Sequence, residues 1–497
     1  MFKKEIAFLT PSYESLKSRT VFFILLSISI FIRFPFFFRD YIDRDESTFI
    51  LMGQSWVNGH LPYTELWDVK PPLTFLFFAG IIYVFGKSFL AIRFFGALAV
   101  AITALFTYKI GSKIDSKKIG FWSAIICVIL QSMFGSLQGV MSEHICMPFF
   151  MAALYLIIKS QKPSTYLISG LLMGITVMVK LNMAYAALFV GLHLSYTLFQ
   201  KKGFFIATRN VIAYGIGIIL IISLTILPYH LQGNFDLWWK SVIEAPLNYA
   251  GARRNSIIET LPFYIVIVGF LFFAWKKKKL DYKNPDIQLL LVTIIGVLLS
   301  FIKGGRINGH YLIQLFPFLV ILVGIVFRKI IFLQRTNYKI FIPLLFLLLP
   351  IETYLEYVTI IKNKLEKGTF YNGEGFSVPH YITENNLETK NMLFLGYHIG
   401  YWVLGVDPPT KSATQPSNIC KEEMFFAYDN PRDTSIEEIQ YILEELKPKT
   451  IVVRENRSIF DKKQVEENIY INNYLAEHYK TVEIVEKAEI LQRLEQF

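Results

Sequence analysis

Residues 20–38 contain a single charge, Arg33, and the run is long enough to cross a bilayer as a helix. Comparable runs occupy 88–110, 119–138, 145–159, 165–180, 183–199, 209–229, 260–275, 287–303, 311–327 and 339–360. The 497 residues are 53% hydrophobic and only 18% charged. A soluble domain of that length has no use for so much apolar surface, whereas repeated bilayer spans account for it. The expected fold class is an α-helical polytopic membrane protein, with about eleven transmembrane helices plus interfacial helices.

The net charge of +11 hides an asymmetry. Residues 362–497 carry 16 Lys and Arg against 22 Asp and Glu, a balance of −6, which leaves +17 for residues 1–361. The basic residues fall in clusters between apolar runs, at Lys113, Lys117 and Lys118, at Lys159 and Lys162, at Lys201 and Lys202, and at Lys276 to Lys279. That is the pattern of topology signals and not of a nucleic-acid surface, so no nucleic-acid partner is expected.

Residues 71–86 are apolar but short, and they open with two prolines. If they crossed the membrane, every lysine cluster would fall outside; if they lie along the interface, all the clusters fall inside with the N-terminus. The second arrangement predicts eleven crossings and an external C-terminal region. It also collects residues 40–72, the Glu143 turn, Lys180-Leu181-Asn182, residues 230–260 and residues 303–310 on the external face. Lys3, Lys4, Lys17 and Arg19 before the first span, with no small-residue cleavage site, read as a start-transfer anchor.

Beyond residue 361 the composition changes. Met392-Leu393-Phe394-Leu395, Thr450-Ile451-Val452-Val453 and residues 481–491 read as strands, and Ile436, Ile439, Leu443 and Leu446 recur at helical spacing and stop before Pro448. The expected organisation is a transmembrane domain over 1–361 and a small α/β domain over 362–497. Cys127, Cys146 and Cys420 have neither disulfide nor zinc spacing.

The densest polar stretch is Asp43-Arg44-Asp45-Glu46, directly behind the first span, followed by Leu61-Pro62-Tyr63 and Lys70-Pro71-Pro72-Leu73. Charge beside a bilayer is costly unless it faces water or a partner. Asp43 stands three residues before Glu46, the spacing of a capping box, and Phe49, Met52 and Trp56 share a helical face before Asn58-Gly59. Capping and substrate binding account for Asp43 equally well. Asp45 and Glu46 are more acid than one cap needs, and they call for a cation, a metal or a substrate hydroxyl. Lys70, held extended by the following proline, projects where a lipid phosphate lies; snorkelling to ordinary headgroups accounts for it as well.

Arg44-Asp45-Glu46, Gly59-His60-Leu61-Pro62-Tyr63 and Lys70-Pro71-Pro72-Leu73 together resemble the first external loop of the polytopic C-type glycosyltransferases. That superfamily includes protein O-mannosyltransferases and bacterial aminoarabinose transferases. The resemblance implies that Asp45 is the catalytic acid residue and that Lys70 meets the phosphate of a polyprenyl-phosphate sugar donor. It further implies substrate-side roles for Glu143, Arg93 and His310-Tyr311, and inversion at the anomeric carbon. Val69 departs from the acidic or polar residue that relatives often carry there. Arg253 and Arg254 read as phosphate contacts or, equally, as a solvated pair.

The function so implied is an integral membrane glycosyltransferase, a hexosyl or pentosyl transferase. It would act on an envelope glycan, lipid or protein acceptor at the external face of a bacterial plasma membrane. No cofactor is read from the sequence, although a divalent metal ion between Asp45 and Glu143 is compatible with it. A transporter or flippase of lipid-linked sugars is the rival reading, and it predicts inverted repeats and discontinuous midplane helices that the sequence does not show. A membrane scaffold would explain the acidic tail but not the loop motif.

Overall fold

The computed structural model describes residues 13–40, 43–160, 162–252, 257–305, 307–330 and 349–494. The chain divides into two compact units, each assembled from separate stretches. The first comprises Met1–Phe34, Arg93–Thr225 and Arg253–Leu355; the second comprises Pro35–Ile92, Ile226–Ala252 and Glu356–Phe497.

Five helices among the described residues are long and apolar enough to span a bilayer: Ser18–Phe38, Phe89–Ile114, Ser142–Lys159, Phe204–Leu231 and Pro285–Gly304. Shorter apolar helices occupy Pro72–Phe85, Pro163–Val179, Thr260–Lys276 and Phe316–Arg328. Residues 339–348 of the expected run 339–360 lie outside the described residues, and 351–360 belong to the Ile351–Lys367 helix.

In the first unit two expected spans are shorter than the sequence suggests, and in each case the missing turn positions a polar side chain. The run 119–138 is helical only over Lys117–Leu130. Beyond it, buried Arg33 donates to the carbonyls of Gln131 at 3.2 Å, Leu137 at 2.6 Å and Gly139 at 2.5 Å, so those acceptors are satisfied without a helix ladder. The run 311–327 becomes a helix only at Phe316, because Gly309–Gln314 forms a 3-10 turn. Close helix packing in this unit depends on glycine: a Cβ on Gly170 would sit 2.1 Å from the Tyr214 carbonyl oxygen, and one on Gly217 would sit 2.5 Å from that of Leu167. Small residues that let backbones approach are what helix association in lipid requires.

The second unit joins the first loop to the tail. The Arg44–Val57 and Pro72–Phe85 helices pack together at Gly53, where an added Cβ would sit 2.8 Å from the Phe78 Cβ. The 14-residue Pro72–Phe85 helix is only about 21 Å long, shorter than a bilayer core.

The tail carries a four-stranded sheet of order β1-β2-β4-β3, with β1 (Leu393–Phe394) parallel to β2 (Thr450–Arg454), and with β4 (Ala488–Arg493) antiparallel to both β2 and β3 (Tyr479–Val485). The expected third strand is therefore a hairpin, turning at Glu486, whose φ is +58°. The Ile436–Leu446 stretch is an α-helix over Ser435–Gln440 that loosens into a π turn over Tyr441–Leu446. Ile439, Leu443, Ile451, Val453, Ile471 and Leu491 form the core beneath the sheet. Trp67 fixes the loop to the tail, its N–H donating to the Lys411 carbonyl at 2.7 Å and its carbonyl accepting from Ala413 N–H at 3.1 Å.

Candidate active site

In the second unit, Asp43 caps the Arg44–Val57 helix, its Oδ1 accepting from Asp45 N–H at 2.8 Å. The reciprocal half of the expected capping box is absent, because the Glu46 side chain is turned into the interior and is 2% exposed. The cap leaves the Asp45 carboxylate at the positive end of the helix, where the dipole favours its ionised form. Lys70 Nζ lies 3.0 Å from Asp45 Oδ2, with both side chains part-exposed, and 5.7 Å from the centroid of the Phe49 ring. Lys70 is held from behind: the Tyr63 hydroxyl, buried among Phe75 and Tyr229, donates to the Lys70 carbonyl at 2.6 Å. The helix that follows starts at Pro72, with Pro71 as its cap, one residue later than the sequence suggests.

Behind this pair runs a buried polar chain that sequence reasoning missed. Thr414 Oγ1 donates to Asp68 Oδ2 at 2.8 Å, Thr48 Oγ1 lies 2.8 Å from Thr414 Oγ1, and His398 Nε2 lies 3.2 Å from Thr48 Oγ1. Burial raises the Asp68 carboxyl, with Lys70 pulling it down and Asp45 pushing it up. Burial also lowers the His398 imidazole to about 3, reinforced by the positive charge of Arg44. His398 is therefore neutral at ordinary pH. Asp68 had one visible signal, its place two residues before Lys70.

In the first unit, three of the turns that the charge parity put on one face come together. Lys180 Nζ lies 2.7 Å from Glu143 Oε1, and His310 Nε2 lies 3.9 Å from the same oxygen. Glu143 is fully buried, and Ser142 Oγ donates to its second oxygen at 3.1 Å. Tyr311 completes the group, its ring 4.7 Å beneath the Lys180 ammonium and 4.9 Å from the His310 ring. Asn182 Nδ2 donates to Gln314 Oε1 at 3.1 Å, tying the Lys180 turn to the His310 turn. Glu143, His310 and Tyr311 were expected site residues; Lys180, which also reads as the polar end of a span, is the group that neutralises the acid. Arg93 is buried in the Phe89–Ile114 helix. Arg253 and Arg254 lie outside the described residues.

Asp45 belongs to the second unit and Glu143 to the first. Each carboxylate faces an ammonium group, Lys70 and Lys180 respectively. Among the described residues no group of three or more His, Cys, Asp and Glu side chains converges as a metal ligand set.

The sequence model of the dolichyl-phosphate-mannose-protein mannosyltransferase family matches residues 69–229, about a third of the chain, which includes Lys70 and Glu143 but not Asp45. No curated protein matches the sequence. The chain superposes on the crystal structure of ArnT from Cupriavidus metallidurans bound to undecaprenyl phosphate with a TM-score of 0.60 at 12% identity, over 95% of this chain and 98% of that one. The apo state of the same protein gives 0.60 and 12%, over 96% and 99%. An archaeal oligosaccharyltransferase, AglB from Archaeoglobus fulgidus, aligns at 0.49 and 13%, over 89% and 70%. The chain thus resembles the mannosyltransferase family in sequence over 69–229 and ArnT in fold over nearly its whole length.

Proposed function

We propose that this chain is an integral membrane glycosyltransferase that moves a sugar from a polyprenyl-phosphate donor to an acceptor hydroxyl. The observation that carries the reading is the Lys70–Asp45 pair, a cation and a carboxylate held 3.0 Å apart at a helix N-terminus. The fold shared with ArnT, a protein crystallised with undecaprenyl phosphate, agrees with it.

The chemistry follows from the pair. As the anomeric carbon bonds to the acceptor oxygen, polyprenyl phosphate leaves as an anion and needs its charge met, not a strong acid, and Lys70 supplies that charge. The acceptor hydroxyl needs a base opposite the departing phosphate, and Asp45, kept ionised by the helix end, takes its proton. Carboxylates near the anomeric carbon stabilise the oxocarbenium character of the transition state. In line with the family resemblance, the reading includes inversion, a hexosyl or pentosyl donor, and Glu143, His310 and Tyr311 on the substrate side.

The reading also carries the eleven-span topology, with the 362–497 domain and the site on the external face of a bacterial plasma membrane. Because Lys70 meets the donor charge, chelation by EDTA is expected to leave transfer intact. The deciding experiment is mass spectrometry of envelope glycans, lipids and proteins from cells with and without the chain. A sugar missing from one class in the deletion strain, and restored by wild type but not by Asp45→Asn, supports the reading. Identical profiles, with lipid-linked sugar accumulating on one side of the membrane, favour the transporter.

A further inference from the structure

The tail is acidic overall, yet one of its clefts is basic. Arg44, Arg454, Arg457 and Lys462 line a cavity of about 460 Å³ in which Asp461 is the sole acid of the lining. Such a volume suits a monosaccharide-sized group. A cleft lined by more cations than acids favours an anionic ligand.

The cleft's position is set by the sheet. Leu395 to His398 follow β1 and Asn456 to Lys462 follow β2, so the cavity opens beyond the carboxyl ends of the two parallel strands, where open α/β sheets hold ligands. Two non-glycine residues in these loops, Tyr397 at φ +55° and Asn456 at φ +53°, adopt the left-handed conformation. Backbone of this kind gathers at ligand sites. Arg454 lies over the Tyr397 ring at 5.0 Å, and its Cγ fills the space a Cβ on Gly396 would take, 2.8 Å away. Gln415 also lines the cavity and is 1% exposed; its Oε1 accepts from the Tyr401 hydroxyl at 2.6 Å, whereas its Nε2 has no partner among the described residues. A buried amide donor without a partner costs free energy until a ligand oxygen meets it. Arg44 ties the cleft to the chemistry, since it precedes Asp45 in the first turn of the same helix.

We infer that this cleft binds a phosphate group on the acceptor saccharide, held by Arg44, Arg454 and Arg457 with the Gln415 amide, so that an acceptor hydroxyl is presented toward Asp45. The inference rests on the glycosyltransferase reading for the word acceptor, but the binding site does not. Guanidinium forks match phosphate geometry with two parallel hydrogen bonds.

The test uses the full chain in detergent and titrates glucose 6-phosphate, glucose, inorganic phosphate and glucuronate by calorimetry. Glucose 6-phosphate is expected to bind and glucose not. Arg454→Gln should weaken binding by about tenfold or more, the loss of a charged hydrogen bond. Gly396→Ala should weaken it also, since it displaces Arg454 without changing the charge. Both variants should keep the wild-type unfolding midpoint. Unchanged binding in both variants, or no saturation by wild type at millimolar ligand, overturns the site. Phosphate binding as tightly as glucose 6-phosphate overturns the sugar contact, and glucuronate binding as tightly overturns the choice of phosphate. Binding of the sugar phosphate without any sugar transfer leaves the cleft standing and removes the glycosyltransferase reading; transfer without such binding does the reverse.

Discussion

The Lys70 ammonium stands 3.0 Å from Asp45 Oδ2, with the Tyr63 hydroxyl fixing the lysine backbone from the other side. On the proposed mechanism the two partners hold each other ready. A donor phosphate competes for the ammonium, and as the lysine turns to it the carboxylate regains the lone pair that takes the acceptor's proton. Part exposure of both side chains keeps the pair weak enough to exchange.

Asp45→Asn preserves size and removes the base. Single-turnover transfer in membranes at matched expression should fall by roughly 10²–10⁴-fold. Asp43→Asn should cost only about 1 kcal/mol or less of stability through a weaker cap, with transfer largely kept. The reverse order of effects would move the base to Asp43.

Lys70→Ala should weaken use of the lipid donor while the protein remains inserted and folded, and Lys70→Arg should retain part of the activity. Tyr63→Phe deletes only the hydroxyl that anchors the Lys70 carbonyl, so it should raise the KM for donor with a smaller effect on kcat. Wild-type donor affinity in Lys70→Ala would leave the lysine as an ordinary headgroup contact.

Lys180→Met strands the buried Glu143 carboxylate. Loss of one partner from a buried pair costs about 3–5 kcal/mol, read as a lower unfolding midpoint in detergent. Adding Glu143→Gln should restore much of that stability without restoring transfer. Equal midpoints for the single and double variants would show that the pair is not coupled.

His398 makes the second unit sensitive to acid. Its folded pKa is lowered to about 3 by burial, so its contribution is complete above the usual histidine value of roughly 6.5 and fades as pH falls toward 3. At pH 5 the loss is about 2 kcal/mol. Asp68 has the opposite sign: burial raises it, so its contribution is present in acid and lost as pH rises through its folded value. His398→Asn should therefore flatten the acid limb of the stability profile and leave the Asp68 limb in place.

The sequence predicted that the polar turns share one face, because lysine clusters report topology independently of the acids they flank. Glu143, His310 and Tyr311 were singled out by the family resemblance, and the three side chains meet in the first unit. Lys180 was harder to see, since a lysine at the end of a span looks the same whether it meets water or an acid 37 residues back. The Asp68–Thr414–Thr48–His398 chain left no periodic or motif signal at all, as threonine and histidine in contact across hundreds of residues are a product of tertiary packing. The tail hairpin was read as one strand because Glu486-Lys487 is not a turn pair of the usual glycine or asparagine kind.

The hydrogen bond from Thr48 to Thr414 spans 366 positions of sequence. At ordinary elongation rates of roughly 5–20 residues per second, about 20–70 s separate the synthesis of its two ends. The helix that bears Asp45 is thus made early and completed late: until the last quarter of the chain has emerged and folded, Thr48, Gln54 and Trp67 lack their bonds to Thr414, Trp402 and Lys411. On the proposed reading, a chain truncated before Lys411 is expected to insert but not to transfer sugar, so the tail would act as a clock on the activity of nascent protein.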